Sequence, residues 1–189
     1  MRRVCVALVA VLLLAGCATK IAYKPMEGSA PPATGSVALK VVDDRPADHG
    51  GSDKAQVGVV RGSYGIPSSV KDSNPTVVVT TVTDATTDAL KQAGVSVQAG
   101  ANRTLVASVQ NYWMDGMAGY KSTVKVKYTL ENGSGKALWT KEVSGSAGGA
   151  LIFKSADSMA QDMFGNSLTE LAKNATAEFK SADFQKALK

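Results

Sequence analysis

Between residues 105 and 145 the chain alternates apolar and polar side chains. Leu105, Ala107 and Val109 alternate with Ser108 and Gln110, which predicts a strand running to about Trp113. Val124, Val126, Tyr128 and Leu130 alternate with Thr123, Lys125, Lys127 and Thr129, a strand with one wet face. Asn132-Gly133-Ser134-Gly135 supplies the turn residues of a hairpin, and residues 137–145 return as a third strand. From Ser155 the period changes. Met159, Ala160, Met163, Phe164, Leu168, Leu171, Ala172, Ala175 and Phe179 recur at three and four. They predict a long amphipathic helix to about Lys180, with Phe184, Ala187 and Leu188 in a short final turn.

Upstream, residues 36–42 alternate and predict a first strand, ended at Asp43-Asp44-Arg45-Pro46 because Pro46 brings no amide donor. Residues 47–55 read as a loop. Residues 56–61, followed by Gly62-Ser63-Tyr64-Gly65-Ile66-Pro67, predict a glycine-rich hairpin or edge arm. The β-branched residues 77–80 predict a short strand. Thr81 and Asp84 then form a partial capping box for a helix. Its buried face is Val82, Ala85, Ala89, Leu90 and Ala93, and Gly94 stands where a helix-ending glycine belongs. The sum is an α+β fold, a two-layer sandwich with a mainly antiparallel sheet. In order it holds a strand, a helix, the three-stranded meander and the long C-terminal helix.

The first residues follow neither period. Arg2 and Arg3 precede an apolar run over residues 4–15. As a helix that run is roughly 18 Å long, short of a hydrocarbon core of ~30 Å, so a cleaved export signal fits better than a membrane span. It ends in Leu14-Ala15-Gly16-Cys17, which matches the lipobox of bacterial lipoproteins at every position. One reading is a plain secretory signal with an incidental cysteine. The other makes Cys17 the anchor, its sulfur carrying diacylglycerol and its freed amine a further acyl chain. Each buried methylene contributes ~0.8 kcal/mol, so two or more chains hold stably where one is marginal. On that reading residues 1–16 are a cleaved lipoprotein signal peptide, and residues 17–35 are the lipidated cysteine and a flexible tether with Pro25, Pro31 and Pro32. Fully stretched, the tether reaches several tens of Å. Residues 36–189 make a single periplasmic domain.

Charge and cysteine usage narrow the chemistry. Of the formal +5, two charges belong to Arg2 and Arg3. The rest of the chain has no Lys/Arg cluster, so nucleic acid is not an expected partner. Cys5 leaves with the signal and Cys17 is acylated, which removes disulfides and thiolate metal sites from the mature domain. His49 is the single histidine, and a zinc site would have to rest on carboxylates around it. No metal is expected, and no cofactor beyond the covalent lipid.

The strand ending Val41-Val42-Asp43-Asp44-Arg45-Pro46, the segment VGVVRGSYGIP from Val57, and the order of helix, NRTLVASVQNYW, YKSTVKVKYTLENGSGKALWTKEVSG and helix together resemble the YajG-type lipoproteins of Gram-negative bacteria. The likeness covers most of the mature chain. More distantly, the architecture is similar to small α/β lipoproteins that assist envelope transporters. The resemblance implies outer-membrane anchoring on the periplasmic face, since Ala18 and Thr19 replace the aspartate that retains such proteins in the inner membrane. It transfers no catalytic residue.

Adjacent acids on a strand point to opposite faces, so Asp43 and Asp44 are not paired for acid–base work, and Arg45 is expected to bridge a carboxylate or cap the strand end. A triad on His49 would sit in the loop Asp48-His49-Gly50-Gly51, and the competing reading is a solvated histidine. Two clusters are candidate partner-binding surfaces, with core packing as the alternative for each. One is Tyr64 and Ile66 in the glycine-rich arm, whose open edge could also accept a strand. The other is Tyr112, Trp113, Met114, Met117 and Tyr120 around a hairpin connection. The expected function is non-enzymatic. A lipid-anchored domain would bind an envelope component, most simply a protein. The alternative is a lipid- or glycan-binding accessory of transport with an apolar groove between helix and sheet.

Overall fold

The computed structural model describes residues 20–61, 63–117, 119–149 and 155–189. The signal segment and Cys17 lie outside the described residues. Among the described residues, seven strands form one mixed sheet built around β5 (Arg103–Gly116). Along one edge β5 pairs antiparallel with β6 (Tyr120–Asn132), which pairs antiparallel with β7 (Ala137–Gly149). This is the predicted meander. Along its other edge β5 is shared by two strands. Residues 104–109 pair in parallel with β1 (Gly35–Asp43), and residues 114–116 pair in parallel with β2 (Gln56–Arg61). Outside them, β3 (Pro67–Lys71) lies antiparallel to β2, and β4 (Val95–Val97) lies parallel to β1.

The architecture therefore corrects the expectation of a mainly antiparallel two-layer sandwich. The sheet is mixed and curls into a half-barrel that carries two long helices. The cause is the three parallel pairings of β1, β2 and β4. They join residues far apart in sequence, and nothing in local alternation reports them.

Helix α1 (Val77–Gln92) starts four residues before the predicted cap, taking in the segment expected as a strand. Val77, Val78 and Val82 are buried on one face. The threonines satisfy themselves within the helix: Thr81 Oγ1 donates to the Val77 carbonyl and Thr83 Oγ1 to that of Val79, both at 2.7 Å. Burial thus overrides β-branched propensity. Gly94, at φ 73°, ends the helix as predicted.

Helix α2 (Ala156–Phe179) is capped by Ser155, whose hydroxyl accepts from the Ser158 amide at 3.2 Å. Its nine predicted core residues are all buried. A short α3 (Ala182–Leu188) returns Phe184 to the core beside Phe179 and Trp139. Between helices and sheet, Tyr112 stacks on Phe164 at 4.4 Å and Tyr128 meets Phe179 edge-on at 5.2 Å. Where α2 crosses β7 the two backbones nearly touch. A side chain at Gly145 would run into the backbone of Ser167 and Leu171. Farther along, Glu170 accepts the Ser146 amide at 2.7 Å and Asn174 donates to the Ser144 carbonyl at 2.8 Å, so side chains of α2 also bond to the outer edge of β7 there. Among the described residues no helix is long and apolar enough to cross a membrane.

Candidate functional site

The acidic strand end is structural. Arg45 is buried where β1 stops and β2 has not yet begun along β5. Its guanidinium grips Asp43 at 2.9 and 3.0 Å and donates to the carbonyls of Gln56 at 2.8 Å, Lys54 at 3.1 Å and Tyr112 at 3.4 Å. Burial alone would raise the Asp43 carboxyl, but the bonds and charge of Arg45 outweigh it and hold it below the usual carboxylate range. Gly50 leaves room for this plug, since a Cβ there would strike the Arg45 guanidinium, and Gly51 lets the chain pass close to the backbone of Arg45 and Pro46. Asp44 points the other way and accepts from Ser108 at 2.6 Å.

His49 lies edge-on against Trp113, with ring centres 4.9 Å apart, and its Nδ1 is 3.1 Å from Asp48. Among the described residues no hydrogen bond joins His49 to a hydroxyl, and no three His, Cys, Asp or Glu side chains gather as metal ligands.

The second candidate cluster divides. Tyr112 and Met114 are fully buried and do not belong to a contact surface. The reason is a bulge at Gln110, which puts two residues of β5 against one of β6 and shifts the inward set from odd to even positions. The same shift turns Trp113 to the opposite face, where it supports His49. Met117 and Tyr120 are half-buried, and the Tyr120 ring covers Gly116. The first cluster stays whole. Tyr64 is fully exposed, and Ile66 is 64% exposed, at the tip of the β2–β3 hairpin. Tyr64 holds a left-handed backbone at φ 61°.

The chain from Lys20 to Thr34 forms neither helix nor strand, and from Ile21 on it is docked on the body. It runs as a strap along the outer side of α1. The Ile21 amide donates to buried Asp72 at 2.7 Å; the Tyr23 hydroxyl and the Met26 amide donate to Asp88 at 2.6 and 2.7 Å; the Thr34 amide donates to the Gly94 carbonyl at 2.8 Å. Ile21 and Tyr23 are buried with the core, while Lys20, Ala22 and Lys24 border a cleft against Gln161, Gly165 and Thr169 of α2. Burial first, and then the bond and charge of Asp88, push the Tyr23 phenol well above its ordinary value. Sequence reasoning missed Asp72 and Asp88. The available signal was the alternation Ile21-Ala22-Tyr23-Lys24, which has the period of a strand with one buried side.

Among the described residues, Tyr112, Tyr128, Phe164 and Phe179 fill the space between helices and sheet.

No protein-family model matches the chain, and no curated protein matches it in sequence. Among solved structures, a Xanthomonas campestris protein of the DUF330 family superposes with a TM-score of 0.58 at 13% identity, over 89% of this chain and 96% of its own. An uncharacterized protein gives 0.50 at 12% identity, over 85% and 99%. These two define the class by fold alone. A minor lipoprotein from Acinetobacter baumannii also matches, with a TM-score of 0.44 at 12% identity, over 79% of this chain and 93% of its own.

Proposed function

We propose that the chain is a lipid-anchored envelope protein of the YajG type, held at Cys17 by a diacylglyceryl thioether and an N-acyl chain. It sits on the periplasmic face of the outer membrane and binds a protein component of the envelope without catalysis. The observation that carries this reading is the spacing of anchor and body. Leu14-Ala15-Gly16-Cys17 ends four residues before Ile21, where the strap begins its hold on the domain. A binding role is supported by how the charged strand end is spent: Asp43 and Arg45 bond each other and the backbone, leaving exposed apolar side chains as the features free to meet another molecule.

The test is mass analysis of the mature N-terminus from a Gram-negative host, beside Cys17→Ser. The expected result is an acylated peptide beginning at Cys17, and detergent-dependent extraction that the variant loses. A free thiol at Cys17 in a freely soluble wild-type protein would sink the proposal.

A further inference from the structure

The tip of the β2–β3 hairpin is the most exposed large apolar feature among the described residues, and it projects past the end of the sheet. The last β2–β5 pair is Val60 with Gly116, where β5 itself ends, and Tyr64 and Ile66 lie beyond it. The strap begins at the other end of β3, one strand length from the tip. Ile21 is held by Asp72, the residue after β3. Resting on the anchored reading above, we infer that this tip docks into the lipid bilayer, Tyr64 and Ile66 entering the interfacial zone beside the acyl chains of Cys17.

Reach decides the geometry. Three residues lie between Cys17 and Ile21, so four chain steps limit the Cα of Cys17 to within ~14 Å of the Cα of Ile21, the residue bonded to Asp72. From Lys71 to Pro67, β3 carries the hairpin ~13 Å from there toward its tip. A bilayer that accepts the anchor therefore comes within the tip's range. The other exposed apolar residues, Val97 after the end of α1 and Leu138 at the β6–β7 turn, lie at the far end of the body.

The chemistry fits lipid as the occupant. A tyrosine suits the interface because its ring is apolar and its hydroxyl stays wet, while isoleucine suits the acyl boundary. Exposed Arg61, in the last β2–β3 pair before the tip, and exposed Lys20 at the start of the strap make no ion pair among the described residues, and both are free for phosphate headgroups.

The mature chain's remaining sulfhydryl is the acylated one, so a cysteine placed by Ile66→Cys takes a spin label uniquely, as does Leu138→Cys. Each labelled, full-length acylated protein is reconstituted into vesicles of zwitterionic and anionic phospholipid. Flotation and the N-terminal mass are read on the same samples. The Ile66 label should be several-fold less accessible to a water-soluble nickel relaxant than the Leu138 label and more accessible to oxygen, and Tyr64→Ser should weaken that protection. Acylated protein that floats with both labels equally wet overturns the docking and leaves the anchor standing. An unacylated chain that does not float overturns both. Protection at Ile66 seen in native envelopes but not in pure lipid assigns the tip to a protein and overturns the inference.

Discussion

Asp88→Ala removes the carboxylate that holds the strap at two points. In the native protein it accepts the Tyr23 hydroxyl at 2.6 Å and the Met26 amide at 2.7 Å. A hydrogen bond to a charged group contributes ~1.5–3 kcal/mol, and the low end applies here because both bonds are only part-buried. Water can replace the carboxylate at the Met26 amide, which returns a fraction of the loss. The strap should therefore open at a free-energy cost lowered by ~2–3 kcal/mol, with the remainder of the fold intact. At ~1.4 kcal/mol per decade, the open population rises roughly 30- to 150-fold. Hydrogen exchange read by mass spectrometry is the direct assay, because the amides of Ile21 and Met26 are bonded only while the strap is seated. Peptides covering residues 20–27 should exchange faster by that factor, while those from β5 and β6 stay as in the wild type. Asp84→Ala, one turn earlier on α1 and exposed, is the control and should change little. Unchanged protection of residues 20–27 in Asp88→Ala would refute the assignment of these bonds as the clasp.

Two further outcomes test the packing. Arg45→Met leaves three backbone carbonyls without their donor and the Asp43 carboxylate with only the partly exposed Lys54 ammonium, 3.4 Å away. It should cost on the order of 3–5 kcal/mol, read as a large fall in Tm or loss of soluble protein. At high pH, burial holds the phenols of Tyr112 and Tyr128 well above their ordinary value, and Tyr23 shifts the same way. The native phenols keep protons that the unfolded chain releases above pH ~10, so this contribution is complete below pH ~10 and falls as pH rises. The two fully buried groups together give a slope of about 3 kcal/mol per pH unit. Denaturant titrations at pH 9, 10.5 and 11.5 should show the midpoint dropping only in the last two, with tyrosinate absorbance growing as helicity is lost.

The antiparallel meander and α2 were legible in the sequence because their signals are local. Val124 to Leu130 alternate on one strand, and the apolar stripe from Met159 to Phe179 keeps helical period. What local signals do not carry is partnership. Nothing in residues 36–42 says that β1 will lie parallel to β5, and nothing in Val95-Ser96-Val97 says that three residues will extend the sheet. For α1, the run Val77-Val78-Val79-Thr80 argued for a strand on intrinsic preference, and burial against the core won. The candidate site was half legible. Tyr64 and Ile66 stand exposed as a contact surface requires, whereas Tyr112 and Met114 were placed among them because the bulge at Gln110 was overlooked. Its trace is in the sequence all the same, since the apolar set moves from 105, 107 and 109 to 112 and 114. The strap escaped because prolines and small residues suggest freedom, and its fixing points are two aspartates far along the chain.

Glu170 and Asn174, with Glu178 a further turn on and 3.2 Å from Lys141, form a rail of side chains one helical turn apart beside the last strand of the sheet. A protein held on a lipid leaflet, as proposed above for this chain, diffuses in two dimensions and meets its own copies far more often than one free in bulk water. A bare thirteen-residue border would offer each encounter a row of unmet amides and carbonyls, the starting point of fibrous stacking. The rail occupies the Ser146 amide and the Ser144 carbonyl within the monomer, so a strand arriving at that stretch of β7 finds two of its partners already taken.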